Sequence, residues 1–149
     1  MDTWCVDFGL IYKDGSLVQN PVHYRDKRTV GQAEKVLKNV PLEVILSKTG
    51  YQIFEVATIF QLNYLIETKL WAIDIADRML IIPDLINYYI TGSKFGEYTD
   101  ATTSGMFNSL AMRWSNKIIE PLGISVLAGP GKATALGSVS LQAVGIGEI

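Results

Sequence analysis

The chain has 149 residues and nearly half of them are apolar, enough for one domain with a sizeable core. A formal net charge of −2 provides no basic field for a nucleic-acid surface. A single cysteine, Cys5, excludes a disulfide framework and a cysteine-rich zinc site.

The stretch over residues 5–12 alternates, with Val6, Phe8 and Leu10 on one face and Cys5, Asp7 and Gly9 on the other, which predicts a strand. Asp14-Gly15 is a hairpin signal, and residues 17–22 are expected to return as a second strand, at an edge because Pro21 has no N–H. A charged cluster follows, Arg25-Asp26-Lys27-Arg28, then Thr29 as an expected helix cap. Ala33, Val36, Leu37 and Val40 keep helical spacing, and Pro41 opens a further helix that Gly50 stops. A longer helix is expected over residues 56–76, with Ile59, Leu62, Leu65, Ile66 and Leu70 on one stripe.

Residues 78–82 read as a short buried strand, and Pro83 starts a helix that ends at Gly92. A turn-rich connection with a short helix spans "EYTDATTSGMFN", and "WSNKIIEPLGI" holds one more helix. The glycine-bearing tail over residues 128–149 is expected to be the least ordered part. No run approaches the roughly 18 uninterrupted apolar residues of a membrane helix. No leader peptide is visible at the start, so a cytoplasmic protein is expected. The sum is an α/β chain with a strand hairpin, several helices and too few strands to complete a sheet.

Several groups are candidates for chemistry. Arg25 beside Asp26 places a donor next to an acceptor, as a clamp on vicinal hydroxyls requires, but a solvated loop ion pair fits the same residues. His23 lacks a neighbouring carboxylate or cysteine pair and reads as structural. Cys5 has no cation nearby in sequence to lower its pKa and reads as a buried, inert thiol. Asp2 and Asp7 fall on opposite strand faces, which excludes an acid/base pair on a regular strand. "GPGK" at Gly129 lacks the spacing of a phosphate loop. Tyr88, Tyr89, Phe95 and Tyr98 read as an aromatic group in the core.

The blocks "DTWCVDFGL", "NPVHYRDKRT", "IIPDLINYYITG" and "EYTDATTSGMFN" together resemble the carbohydrate kinases of the FGGY family. Within that family the similarity is greatest to the members that phosphorylate L-rhamnulose. The resemblance covers the chain to about Ala128. It implies part of the N-terminal domain of a ribonuclease-H-like fold of the actin and hexokinase superfamily. It also implies that the first strands, with their phosphate-binding loop, and the segment bearing the general base lie outside these residues. The implied parent activity is transfer of a phosphoryl group from ATP, with Mg²⁺, to a ketose. No ATP or metal is expected on this chain alone, and a non-catalytic interaction module or one half of a split kinase is the rival reading. By the same resemblance, Arg25 and Asp26 belong to the sugar-side loop, and Cys5 stands where the family has a glycine close to the sugar. Ala57 stands where the family pattern has asparagine.

Overall fold

A computed structural model describes residues 3–124. The first strand, β1 (Phe8–Ile11), is buried along its whole length. It pairs antiparallel with β2 (Arg78–Ile81), with Gly9 opposite Leu80 and Leu10 opposite Met79. The expected hairpin closes its turn but not its second strand. Tyr12 N donates to Ser16 O at 2.8 Å and Val18 N to Leu10 O at 2.8 Å, so that only Ile11 and Leu17 form a bridge before the chain leaves β1. Pro21 offers no N–H to prolong this second flank, and residues 18–22 run on as irregular backbone. At the turn, Gly15 has φ +89°, and a Cβ there would meet the Tyr88 hydroxyl at 1.8 Å, so both conformation and space demand glycine.

Lys27–Thr29 form one 3-10 turn, and two helices follow, α1 (Gln32–Asn39) and α2 (Leu42–Thr49). The N-cap of α1 is Gly31 rather than Thr29, because Thr29 is taken up by the 3-10 turn. Pro41 and Gly50 bound α2 as expected. The long helix α3 (Thr58–Ile75) carries the main apolar stripe, with Ile59, Phe60, Leu62 and Leu65 almost fully buried. Full burial of such a side chain stabilises the fold by about 1.5–3 kcal/mol. Lys69 leaves helical geometry (φ −145°, ψ 47°), and the break turns Leu70 and Trp71 to solvent instead of continuing the stripe.

Helix α4 (Ile82–Thr91) starts directly from β2 with Pro83 in its first turn and ends at Gly92. A short helix, α5 (Tyr98–Thr102), precedes a hairpin of β3 (Phe107–Asn108) and β4 (Arg113–Trp114), then α6 (Asn116–Ile119). The predicted aromatic group is not one cluster. Tyr88 and Tyr89 touch each other and Tyr98 packs edge-on against Phe107; Tyr89 is exposed because successive residues of α4 cannot both face inward, and Phe95 is exposed on the segment after α4.

The two-stranded sheet is covered on both faces. Phe8, Leu10 and Met79 join the main core with α1, α3, α5 and the β3–β4 hairpin, while Ile11 and Leu80 pack against Leu85 of α4. Gly9 makes that second packing possible, since a Cβ there would lie 2.7 Å from Leu85 Cδ2 and 3.1 Å from Leu17 Cδ2. No helix of the described residues is long and apolar enough to cross a membrane. The expectations for Asp2, for "GPGK" and for the tail over residues 128–149 fall outside the described residues.

Candidate functional site

The segment leading into β1 and the loop over residues 23–28 come together at one end of the sheet. Trp4 and His23 meet edge-on with ring centroids 5.5 Å apart, and His23 stacks on Tyr24 at 4.3 Å. The Arg25 guanidinium carbon lies 5.7 Å from the centre of the Tyr24 ring. Trp4, His23 and Arg25 are exposed, so the rings and the guanidinium form an open shelf.

The loop is a turn, not the continuation of a strand. Asp26 N donates to His23 O at 2.9 Å, and Arg25 N donates to His23 Nδ1 at 3.2 Å, which makes His23 a structural capping group, as expected. The Asp26 carboxylate accepts from Arg28 N at 2.9 Å and so caps the 3-10 turn. Arg25 and Asp26 form no ion pair with each other, contrary to the loop ion-pair reading; both are exposed, with the guanidinium placed toward Tyr24 and one carboxylate oxygen toward the turn.

Arg28 anchors this loop, which the spacing of the charged cluster did not show. Its Nη2 donates to Val22 O at 3.0 Å and to Gln61 Oε1 at 2.5 Å. Gln61, fully buried on α3, donates in turn to Val6 O at 3.1 Å and to Asp7 Oδ1 at 3.0 Å. Asp7 also accepts from Trp4 Nε1 at 2.6 Å. Burial lowers the pKa of Arg28, while the charges of Asp26 and Asp7 hold it up. One chain of polar contacts thus runs from the loop through α3 to the shelf.

On the other flank, Thr58 Oγ1 donates to Val6 O at 2.8 Å and Thr103 Oγ1 to Cys5 O at 2.5 Å. Cys5 is half-buried rather than fully buried, because its thiol reaches polar neighbours: it donates to Thr3 O at 3.5 Å and interacts with the Asp100 carboxylate. Asp100 is pushed above the usual carboxylate range by burial, against the lowering effect of the Cys5 thiol. Asp84, in the first turn of α4, is pushed up to about 7, mainly by burial and then by the charges of Asp100 and Glu97; the hydrogen bond it accepts from Glu97 N at 2.9 Å works the other way. Ala57 caps α3 with no side-chain acceptor and is fully buried. Arg28, Gln61, Asp84, Asp100 and Thr103 were not legible as a set, since their partners lie tens of residues away in sequence.

Residues 5–130 match the model of the FGGY family of carbohydrate kinases, N-terminal domain. The chain belongs to this family. It is 36% identical over 124 residues to a rhamnulokinase of Bacteroides thetaiotaomicron, covering 83% of this chain and 26% of that protein. A rhamnulokinase of Oceanobacillus iheyensis is 37% identical over 125 residues, covering 84% of this chain and 27% of that protein. This FGGY chain therefore spans about a quarter of the length of the curated relatives it matches. The fold matches xylulose kinase from Rhodospirillum rubrum with TM-score 0.72 at 15% identity, over 85% of this chain and 25% of that one. It also matches ligand-bound xylulose kinase from Lactobacillus acidophilus with TM-score 0.70 at 21% identity, over 79% of this chain and 24% of that one. The α/β architecture is accordingly a portion of the actin- and hexokinase-like sugar-kinase fold, as the sequence resemblance implied.

Proposed function

We propose that this chain forms one wall of the sugar site in an ATP-dependent kinase whose substrate is a ketose, L-rhamnulose. The observation that carries the reading is the Arg25–Asp26 pair. Both side chains stand exposed on a loop that Arg28 and Gln61 hold rigidly from below. A guanidinium donates and a carboxylate accepts, so adjacent hydroxyls of a sugar satisfy both at once. The shelf of Trp4, His23 and Tyr24 offers ring surface for the C–H face of the same sugar. The choice of L-rhamnulose rests on the identity with rhamnulokinases over more than four-fifths of the chain.

In this reading the residues of the chain bind and orient the sugar, which is the positioning share of catalysis. The hydroxyl proton is removed and the phosphate charge neutralised by groups elsewhere in the kinase. When bound, ATP would supply the phosphoryl group and Mg²⁺ would offset its phosphate charge. Cys5 lines the sugar side by resemblance, and its thiol occupies space that a glycine leaves open.

The test is an ATP-coupled assay, on the kinase carrying this chain, with a panel of ketoses. Arg25→Ala and Asp26→Ala are expected to raise KM for L-rhamnulose about tenfold or more while leaving KM for ATP unchanged. Equal efficiency on D-xylulose, or alanine variants with unaltered sugar KM, would overturn the assignment.

A further inference from the structure

The β3–β4 hairpin, the start of α6 and the last turn of α2 enclose a cavity of about 320 Å³, which shares no residue with the 23–28 loop. Lys48, Arg113 and Lys117 line it, and no acidic side chain does. Arg113 and Lys117 are exposed and Lys48 is half-buried, and none forms an ion pair among the described residues, whereas Lys35 and Lys94 each lie within 4.0 Å of a carboxylate. Three like charges around one hollow repel each other unless an anion sits among them.

The neutral lining adds a donor. The Asn108 side chain spends its oxygen on Leu110 N at 3.1 Å and Ala111 N at 2.9 Å, which leaves its NH₂ as the uncommitted end. Trp114 also lines the cavity, and only 7% of it is exposed. Its indole N–H is buried away from the cavity space and has no acceptor among the described residues, so it is the ring that the cavity meets. Edge-on packing against Phe107, centroids 5.4 Å apart, fixes the ring, so it does not turn to find a partner within the described residues.

We propose that this cavity binds a small phosphate-bearing anion. Its size lies at the lower end for small-molecule sites. A guanidinium fork with two ammonium groups and the Asn108 NH₂ matches a dianion with three or more acceptor oxygens better than it matches a single carboxylate. The inference stands independently of the sugar-side reading.

The chain contains three tryptophans, so three indole N–H signals report separately in a nitrogen-labelled NMR titration. Inorganic phosphate is added at constant ionic strength, glycerol phosphate and citrate serve as comparison probes, and the Trp114 signal is assigned with Trp114→Phe. The expected result is a saturable movement of the Trp114 signal, with a Kd of about 1 mM or tighter for one of the two phosphates, while Trp4 and Trp71 stay still. Movement with inorganic phosphate marks a site for the free ion; movement with glycerol phosphate alone marks a site for a phosphorylated metabolite. The pair Lys48→Ala and Lys117→Ala, neither of which belongs to the core, is expected to weaken binding about tenfold. A still Trp114 signal with both phosphates, equal binding of citrate, or movement that survives the double variant would overturn the proposal.

Discussion

Asp84 carries the largest electrostatic tension among the described residues. The residue is 6% exposed, with Asp100 and Glu97 nearby, and burial pushes its folded-state pKa up to about 7 from an ordinary 3.8. An acid whose pKa is raised by folding favours the folded state when protonated. The penalty therefore sets in above the unfolded value of 3.8 and grows until the pH passes the folded value near 7. Asp84→Asn keeps an oxygen for the Glu97 amide and removes the charge. In urea unfolding, the variant should gain on the native chain by about 1–3 kcal/mol more at pH 8 than at pH 5, and an equal gain at both would show that Asp84 does not titrate as described. In the sequence this residue was visible only as part of "IIPDLINYYITG"; the acidic neighbours that perturb it sit on another helix, beyond any periodicity argument.

At the scale of elements, most helices were legible because their apolar spacing and their Pro and Gly boundaries agree, as at Pro41 and Gly50 around α2. The strands were less so. The partner of β1 is β2, almost seventy residues on, whereas the local turn signal pointed to residues 17–22. The β3–β4 hairpin has only two residues on each side, too few to show alternation. The proposed sugar-side pair, Arg25 and Asp26, was legible, but not what holds their loop, which depends on Gln61 of α3 reaching the strand entry and Arg28 together. Gln61→Leu is expected to cost about 1–3 kcal/mol, because it removes one hydrogen bond from each of Arg28 and Asp7 and leaves them only Val22 O and Trp4 Nε1. It should also speed tryptic cleavage after Arg25, Lys27 and Arg28. Unchanged cleavage would mean that α3 does not hold the loop.

Taken whole, the described part is a portion of the FGGY kinase N-terminal domain whose small sheet is covered on both faces. The proposed division of labour has a direct consequence for the 149 residues on their own. They should release no ADP from ATP above background, with or without L-rhamnulose, and ketose-dependent ADP release by the purified polypeptide would refute that division. The family was legible at this scale because contiguous blocks carry it; the number of strands in the complete sheet was not, since strand count is a property of the whole fold.

The gap between the sheet and α4 is set by an absence, the missing methyl group of Gly9 opposite Leu85. Bulk at these two places is a shared allowance. An alanine at the strand position asks for a shorter side chain on the helix, so the two sites are expected to change in step, and neither is free to drift alone.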